Sequence, residues 1–188
     1  MKDTIGENYA SRPGTGEKIT NYLCKMKGGK CPTTGTVPLA QLLVTFLGSF
    51  AGIGLVGFLA EHYGLPLLLP SFGASAALLY AACHVPMAQP RNVIGGHTLS
   101  ALVGVTVYQI SGNAWWAITL GVTLAILVMA LTHTLHPPGG ATAFVAVYTE
   151  QGFGFILSPV ALGVVCLVII AMLVNNLSPQ RKYPEYWY

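Results

Sequence analysis

The sequence predicts an all-α integral membrane protein made of two inverted three-element halves. Three observations carry that prediction. The chain has 188 residues, of which 53% are hydrophobic and only 8% charged, whereas soluble domains carry about 25% charged residues. Between Cys31 and Gln180 the only formally charged residues are Glu61, Arg91 and Glu150. Finally, "PSFGASAALLYA" at 70–81 and "PPGGATAFVAVY" at 137–148 share the pattern Pro-x-x-Gly-Ala-(Ser/Thr)-Ala, and each follows one apolar segment and precedes another.

Taken in order, residues 1–38 read as a cytosolic N-terminal arm. They are polar, contain Asp3, Glu7 and Glu17, and hold no apolar core of a signal peptide. Residues 18–30 read either as a short basic interfacial helix or as a solvated tail. Cys24 and Cys31 flank "KMKGGK" at a spacing that matches no zinc pattern, so a reduced pair without a special role is expected. Six apolar segments follow and form the membrane domain, 39–177. Segment 39–60 exceeds the roughly 20 residues a span needs. Segment 67–82 carries Pro70 near its start. Segments 94–110 and 115–133 are near full length, 138–149 is short, and 155–177 is long with Pro159 close to its beginning. Trp115 and Trp116 suit the headgroup region, as does the terminal "YPEYWY" in the short cytosolic tail 178–188.

Charge orients these segments. Lys2, Arg12, Lys18, Lys25, Lys27 and Lys30 lie in the arm, which places it in the cytoplasm by the positive-inside rule. Six crossings then put Arg91, Arg181 and Lys182 inside as well, and Glu61 and Glu150 outside. The expected location is the inner (plasma) membrane, multi-pass, with both termini cytoplasmic. A four-span arrangement with two re-entrant segments is the alternative. Three elements per half give each half an odd number of crossings, so the halves are inverted, as in many transporters.

The Pro-Gly stretches pose a physical question, because they interrupt helices where lipid demands continuity. Proline is tolerated at the first helical position, where its missing N–H has no partner to lose. The helices it starts, 71–82 and 138–149, are about 18 Å long, short of a hydrocarbon core of roughly 30 Å. Helix N-termini inside the membrane need protein, water or ligand to satisfy their N–H groups. With the two short helices running in opposite senses, their positive dipole ends converge and make an anion site. The predicted substrate-binding residues are Ser71, Gly73, Ala74, Ser75, His136, Gly139, Gly140, Ala141 and Thr142. The glycines would admit a ligand to the main chain, and the hydroxyls would donate to it. The competing reading is that Pro and Gly kink spanning helices and small residues allow close packing. For Gly48 and Gly52 in "GSFAG", packing is the expected role.

Arg91, Asn92, His97 and His133 are predicted gating or proton-coupling residues. Arg91 is the one basic residue between the terminal arms; it either recruits anions at the cytoplasmic mouth or anchors topology. His133 and His136 are three apart and could share a helix face. No carboxylate or Cys accompanies them in metal-ligand spacing, so neither a metal nor a cofactor is expected. His97 and His136 could bond a ligand or a backbone carbonyl.

Three motifs carry a family resemblance. "LLLPSFGASAALLYA", "AQPRNVIGGHTLSALVG" and "THTLHPPGGATAFVA" resemble the HPP family of integral membrane proteins, whose His-Pro-Pro motif stands here as His136-Pro137-Pro138. The resemblance covers roughly residues 18–177. It implies anion transport, with nitrite as the leading substrate, since characterised members are implicated in nitrite transport. The family is usually described with four transmembrane segments, at odds with the six counted above. The partners expected are a small inorganic anion and the lipid bilayer, not nucleic acid, and homo-oligomerisation is left open. A His-dependent membrane enzyme and a structural or sensory subunit are the other function classes. The thin ionisable inventory, with no nucleophile–base pair, argues against an enzyme.

Overall fold

Proline and glycine, not polar side-chain caps, set the helix boundaries of this chain. The computed structural model describes Thr20, Cys24, Met26 and residues 35–188. The interfacial-helix and Cys24–Cys31 expectations rest on residues outside that set. Helix α1, Leu39–Tyr63, follows Pro38 and stops at Gly64, whose left-handed φ of 62° ends the helix at low steric cost. Helix α2, Pro70–Ala76, starts on its proline and continues as a π-helical stretch, Ala77–Ala81. Helix α3, Pro90–Ser111, also begins on proline, four residues earlier than the sequence reading placed it, because Pro90 is suited to the first turn. Helices α4, Trp115–Leu131, and α5, Pro138–Tyr148, follow. The last element opens as a π-helical stretch, Ile156–Ala161, and continues as α6, Leu162–Asn175.

Three helices are long and apolar enough to cross a membrane: α1, α3 and the continuous Ile156–Asn175, while α4 is a shorter apolar helix. The described elements are all helical. Helix α5 has 11 residues, about 17 Å, and α2 is shorter still.

The hydrogen bonds show which helix ends meet. Arg181 donates from Nη1 to the Tyr80 carbonyl at 2.7 Å and from Nη2 to the Gln41 carbonyl and Thr45 Oγ1, both at 3.0 Å. Tyr183 donates its hydroxyl to the Ala88 carbonyl at 2.8 Å, and the Glu185 N–H donates to Gln89 Oε1 at 2.8 Å. Arg91 donates to the Thr132 carbonyl at 3.2 Å. One end therefore gathers the start of α1, the end of the α2 stretch, the start of α3, the end of α4 and the C-terminal tail. This end carries Arg91, Arg181 and Lys182. At the other end Glu150 accepts from Asn113 Nδ2 at 2.6 Å and from the Tyr108 hydroxyl at 3.2 Å, joining the ends of α3 and α5. Helix α2 thus runs toward the basic end and α5 toward the Glu150 end. They meet near their N-termini, where Thr142 Oγ1 donates to Ser71 Oγ at 2.9 Å.

Packing is by small residues. The buried Tyr80 ring lies across Gly48 and Gly52 of α1, and a Cβ at either position would collide with it. Its hydroxyl donates to the Leu167 carbonyl at 3.0 Å. Phe72, Leu79, Val164, Leu167 and Ala171 complete this part of the core. A second part joins α3 to α5 through Ala101, Val105 and Ala146. Gly104 and Gly121 give α5 its close approach to α3 and α4. Large apolar side chains such as Phe46, Phe50, Ile110 and Leu131 face outward, as a lipid-facing surface requires. Trp115 and Trp116 are exposed at the start of α4. The tail corrects one expectation. Tyr186, Trp187 and Tyr188 are exposed, but Tyr183 is buried because its hydroxyl caps the loop before α3. Burial, with smaller contributions from Tyr80 and Cys83, pushes its phenol pKa up.

Candidate functional site: a buried histidine and hydroxyl cluster

Seven residues into α3, about 10 Å along its axis, His97 is fully buried. Its ring is held at both nitrogens. Nδ1 lies 2.7 Å from Thr142 Oγ1 of α5, and Nε2 lies 2.7 Å from Ser75 Oγ of α2. Ser75 and Thr142 are the equivalent positions of the two Pro-x-x-Gly-Ala-(Ser/Thr)-Ala stretches. The two hydroxyls that the pattern repeats therefore grip one imidazole. Phe72 packs edge-on against the same ring.

His136 completes the cluster from the loop before α5. Its Nε2 lies 2.9 Å from Ser75 Oγ, and its Nδ1 lies 2.7 Å from the Met87 carbonyl. A carbonyl can only accept, so Nδ1 carries a proton. Ser75 Oγ also lies 3.0 Å from the Ser71 carbonyl. The ring centroids of His97 and His136 are 4.9 Å apart. Ser71, Ser75, His97, Thr142 and His136 are all buried. Among the described residues no carboxylate, Lys or Arg appears as a hydrogen-bond partner of the cluster, and no group of three His, Cys, Asp or Glu side chains could hold a metal ion.

The structure separates the residues singled out in the sequence. Ser71, Ser75, Thr142, His97 and His136 come together. Gly139 is buried beside them at the α3–α5 crossing, where a Cβ would press on Ser100 Oγ, Met129 Sδ and the Gly96 carbonyl. Gly140 is buried, but a Cβ there would meet only Val122 at 3.9 Å. Gly73, Ala74 and Ala141 are exposed, outside the cluster. His133 and His136 do not share a helix face. The chain turns between them, His133 has a φ of 55° and points outward, and only His136 is buried. The sequence reading missed Ser100, one helical turn beyond His97. Its buried hydroxyl has no partner, and the three-residue spacing on α3 was the available signal. The Met87 carbonyl left no signal, since any residue there supplies one.

Two cavities are lined by chain neighbours of the cluster, though by none of Ser71, Ser75, His97, His136 and Thr142 themselves. One, of about 490 Å³, lies at the basic end and is lined by Arg91, Asn92, His133, Leu135 and Tyr186. Asn92 Nδ2 donates to the Leu135 carbonyl at 3.0 Å, next to His136. The other, also of about 490 Å³, reaches Leu69 and Pro70 beside Ser71 and is bordered by Tyr148, Thr149 and Gln151.

This arrangement hangs on the triplet His136-Pro137-Pro138, and residues 34–184 match the family described as HPP, transmembrane region. The chain belongs to the HPP family. It is a multi-pass membrane protein on that match and on its apolar helices. Two proteins of Dictyostelium discoideum, each named as a transmembrane protein, are 38% and 39% identical to it over 185 and 182 residues. The matches cover 90% and 89% of this chain but 64% and 57% of theirs. The chain therefore spans about three-fifths of the curated relatives it matches. No solved structure matches it. Within this HPP chain the histidine of the triplet is the one that binds Ser75 and the Met87 carbonyl.

Proposed function

We propose that this HPP protein is a transporter or channel for a small monovalent anion, with nitrite the first substrate to test. One observation carries the reading: the buried polar cluster holds several hydroxyl and imidazole groups and has no carboxylate partner among the described residues. An anion that leaves water needs such donors. Arg91, in the cavity at the basic end, would raise the local anion concentration there. The convergent N-termini of α2 and α5 add positive dipole ends. Binding would exchange the Thr142 to Ser71 hydrogen bond for bonds to the anion.

In this reading the two halves form an inverted repeat related through the site, and the basic end is cytoplasmic in the plasma membrane. The protein carries out no covalent chemistry. Purified full-length protein in liposomes tests this with nitrite, nitrate and formate. Saturable flux of at least one of them is expected. If none moves, the transport reading is wrong, and a membrane enzyme or structural subunit takes its place. Mass measurement on the same preparation reads the oligomeric state.

A further inference from the structure

Six hydrogen-bond contacts link the cluster. They are Ser75 to the Ser71 carbonyl, to His97 and to His136, His97 to Thr142, Thr142 to Ser71 Oγ, and His136 to the Met87 carbonyl, at 2.7–3.0 Å. Each contact needs one proton. The neutral groups supply five: one each from Ser71, Ser75, Thr142, His97 and His136. This count does not depend on where hydrogens are drawn.

Two of the six acceptors are fixed. The Met87 carbonyl takes the proton on His136 Nδ1, and the Ser71 carbonyl takes the one on Ser75 Oγ. Ser75 then has only lone pairs for the two rings, so His97 Nε2 and His136 Nε2 must both be N–H. His97 stays neutral, with Nδ1 accepting from Thr142 once Thr142 gives up its donation to Ser71 Oγ and the Ser71 hydroxyl rotates to donate to Thr142 instead. His136 carries protons on both nitrogens and is the imidazolium. In the neutral cluster one of the six contacts goes without a proton; when the Ser75 hydroxyl turns to His136 Nε2, that contact is the one to the Ser71 carbonyl. Ser75 is the toggle between the two arrangements.

We propose that Ser75, His97 and His136 form a proton site that takes up one proton with each anion, which makes the protein a proton–anion symporter. The proposal rests on the anion-transport reading above and deepens it. Its second support is electrostatic. The ionisable groups on the elements packed around the cluster are Arg91 and Tyr108 on α3, His133 before α5, Tyr148 on α5 with Glu150 after it, Tyr80 after α2, Cys83 and His84 in the following loop, Cys166 on α6, and Arg181, Lys182, Tyr183, Glu185, Tyr186 and Tyr188 on the tail. None is a hydrogen-bond partner of either ring. An imidazolium buried without a counter-ion is costly, and so is a buried anion. Together they are neutral, and linkage makes each favour the other. The proton comes from water on the side from which the anion enters and leaves with it on the other.

Calorimetry on the detergent-purified full chain tests this, with sodium nitrite as the probe and nitrate and formate in parallel, between about pH 6 and 8 around the ordinary histidine range. Titrations run in two buffers of different ionisation enthalpy. Wild type should take up about one proton per anion, and its affinity should rise about tenfold for each unit fall in pH. His136→Gln should bind with a flat pH profile and no proton uptake, and Ser75→Ala should weaken the proton linkage. Wild-type binding that is equally strong at both pH limits, with heats independent of buffer, overturns the proton site but leaves anion transport standing. Absence of binding for all three anions removes both. The wild-type buffer comparison decides the matter even where a variant fails to fold.

Discussion

Thr142 shows how much one hydroxyl does in this molecule. It is fully buried, donates to Ser71 Oγ, and faces His97 Nδ1. Thr142→Val keeps the shape and removes both contacts, so two polar groups lose a partner inside the protein. A buried group left unsatisfied costs about 1–3 kcal/mol. The variant should lose stability in that range, read as a lower midpoint of thermal unfolding in detergent. Thr149→Val is the control, because its hydroxyl donates to the Val145 carbonyl and accepts from Gln151 Nε2 at an exposed position, and its effect should stay within about 0.5 kcal/mol. The glycines give a second contrast. Gly139→Ala presses a methyl group into the α3–α5 crossing against backbone and Ser100, and overpacking of this kind costs about 1–3 kcal/mol. Gly73→Ala points into open space and should leave the midpoint unchanged. Equal losses at the two sites would mean that the crossing is looser than described.

At the scale of elements, the C-terminal tail is a clasp. Arg181 caps the end of the α2 stretch and holds α1, while Tyr183 caps the loop before α3. The Tyr183 phenol is neutral when it donates to Ala88, and burial raises its pKa above the ordinary 10.0. A group whose folded pKa is raised gives stability that is complete below the unfolded value and is lost as pH rises beyond it. Wild type should therefore lose stability above about pH 10. Tyr183→Phe should be about 1 kcal/mol less stable at neutral pH and show a smaller alkaline loss. A midpoint scanned against pH in detergent reads both. The clasp was not legible in the sequence: "YPEYWY" reads as an interfacial anchor, and a bond from Tyr183 to Ala88 across 95 positions has no periodic signature. The six helical elements were legible, because Pro70, Pro90, Pro138 and Gly64 act on their own neighbours. The cluster was legible in part. The repeat pattern marked Ser75 and Thr142, but the ring they grip lies on a third helix. Gly73 and Ala74 were marked by the same pattern although they face outward, since the pattern specifies a short helix and not which of its sides is buried.

The whole molecule raises the question of topology. Helix α1 starts at the basic end, tied by Gln41 to Arg181, and α3 starts there too, tied through Gln89 and Ala88 to the tail. Helix α1 runs 25 residues away from that end, so residues 64–89 must return across the bundle to bring α3 back to it. A re-entrant hairpin would leave α3 starting at the far end. The same reasoning applies to α5. Helix α4 finishes beside Arg91, α5 finishes at Glu150, and α6 must come back to the tail. In the six-crossing topology proposed above, an extended segment plus a short helix, used twice, would supply two crossings beside the three long apolar helices and the shorter α4. Short helices alone would be too short for a core of roughly 30 Å. On the proposed topology the positive-inside rule predicts Arg91, Arg181 and Lys182 on the cytoplasmic side and Glu61 and Glu150 on the opposite side. Single cysteines at positions 61 and 150, in a chain whose native cysteines are replaced, should react with an impermeant thiol reagent added to intact cells. A cysteine at position 91 should react only after the membrane is opened. Position 150 protected in intact cells while 61 reacts would break the inverted relation of the two halves. It would also leave α2 and α5 with their N-termini on one side, and the anion site proposed between them would lose its geometry.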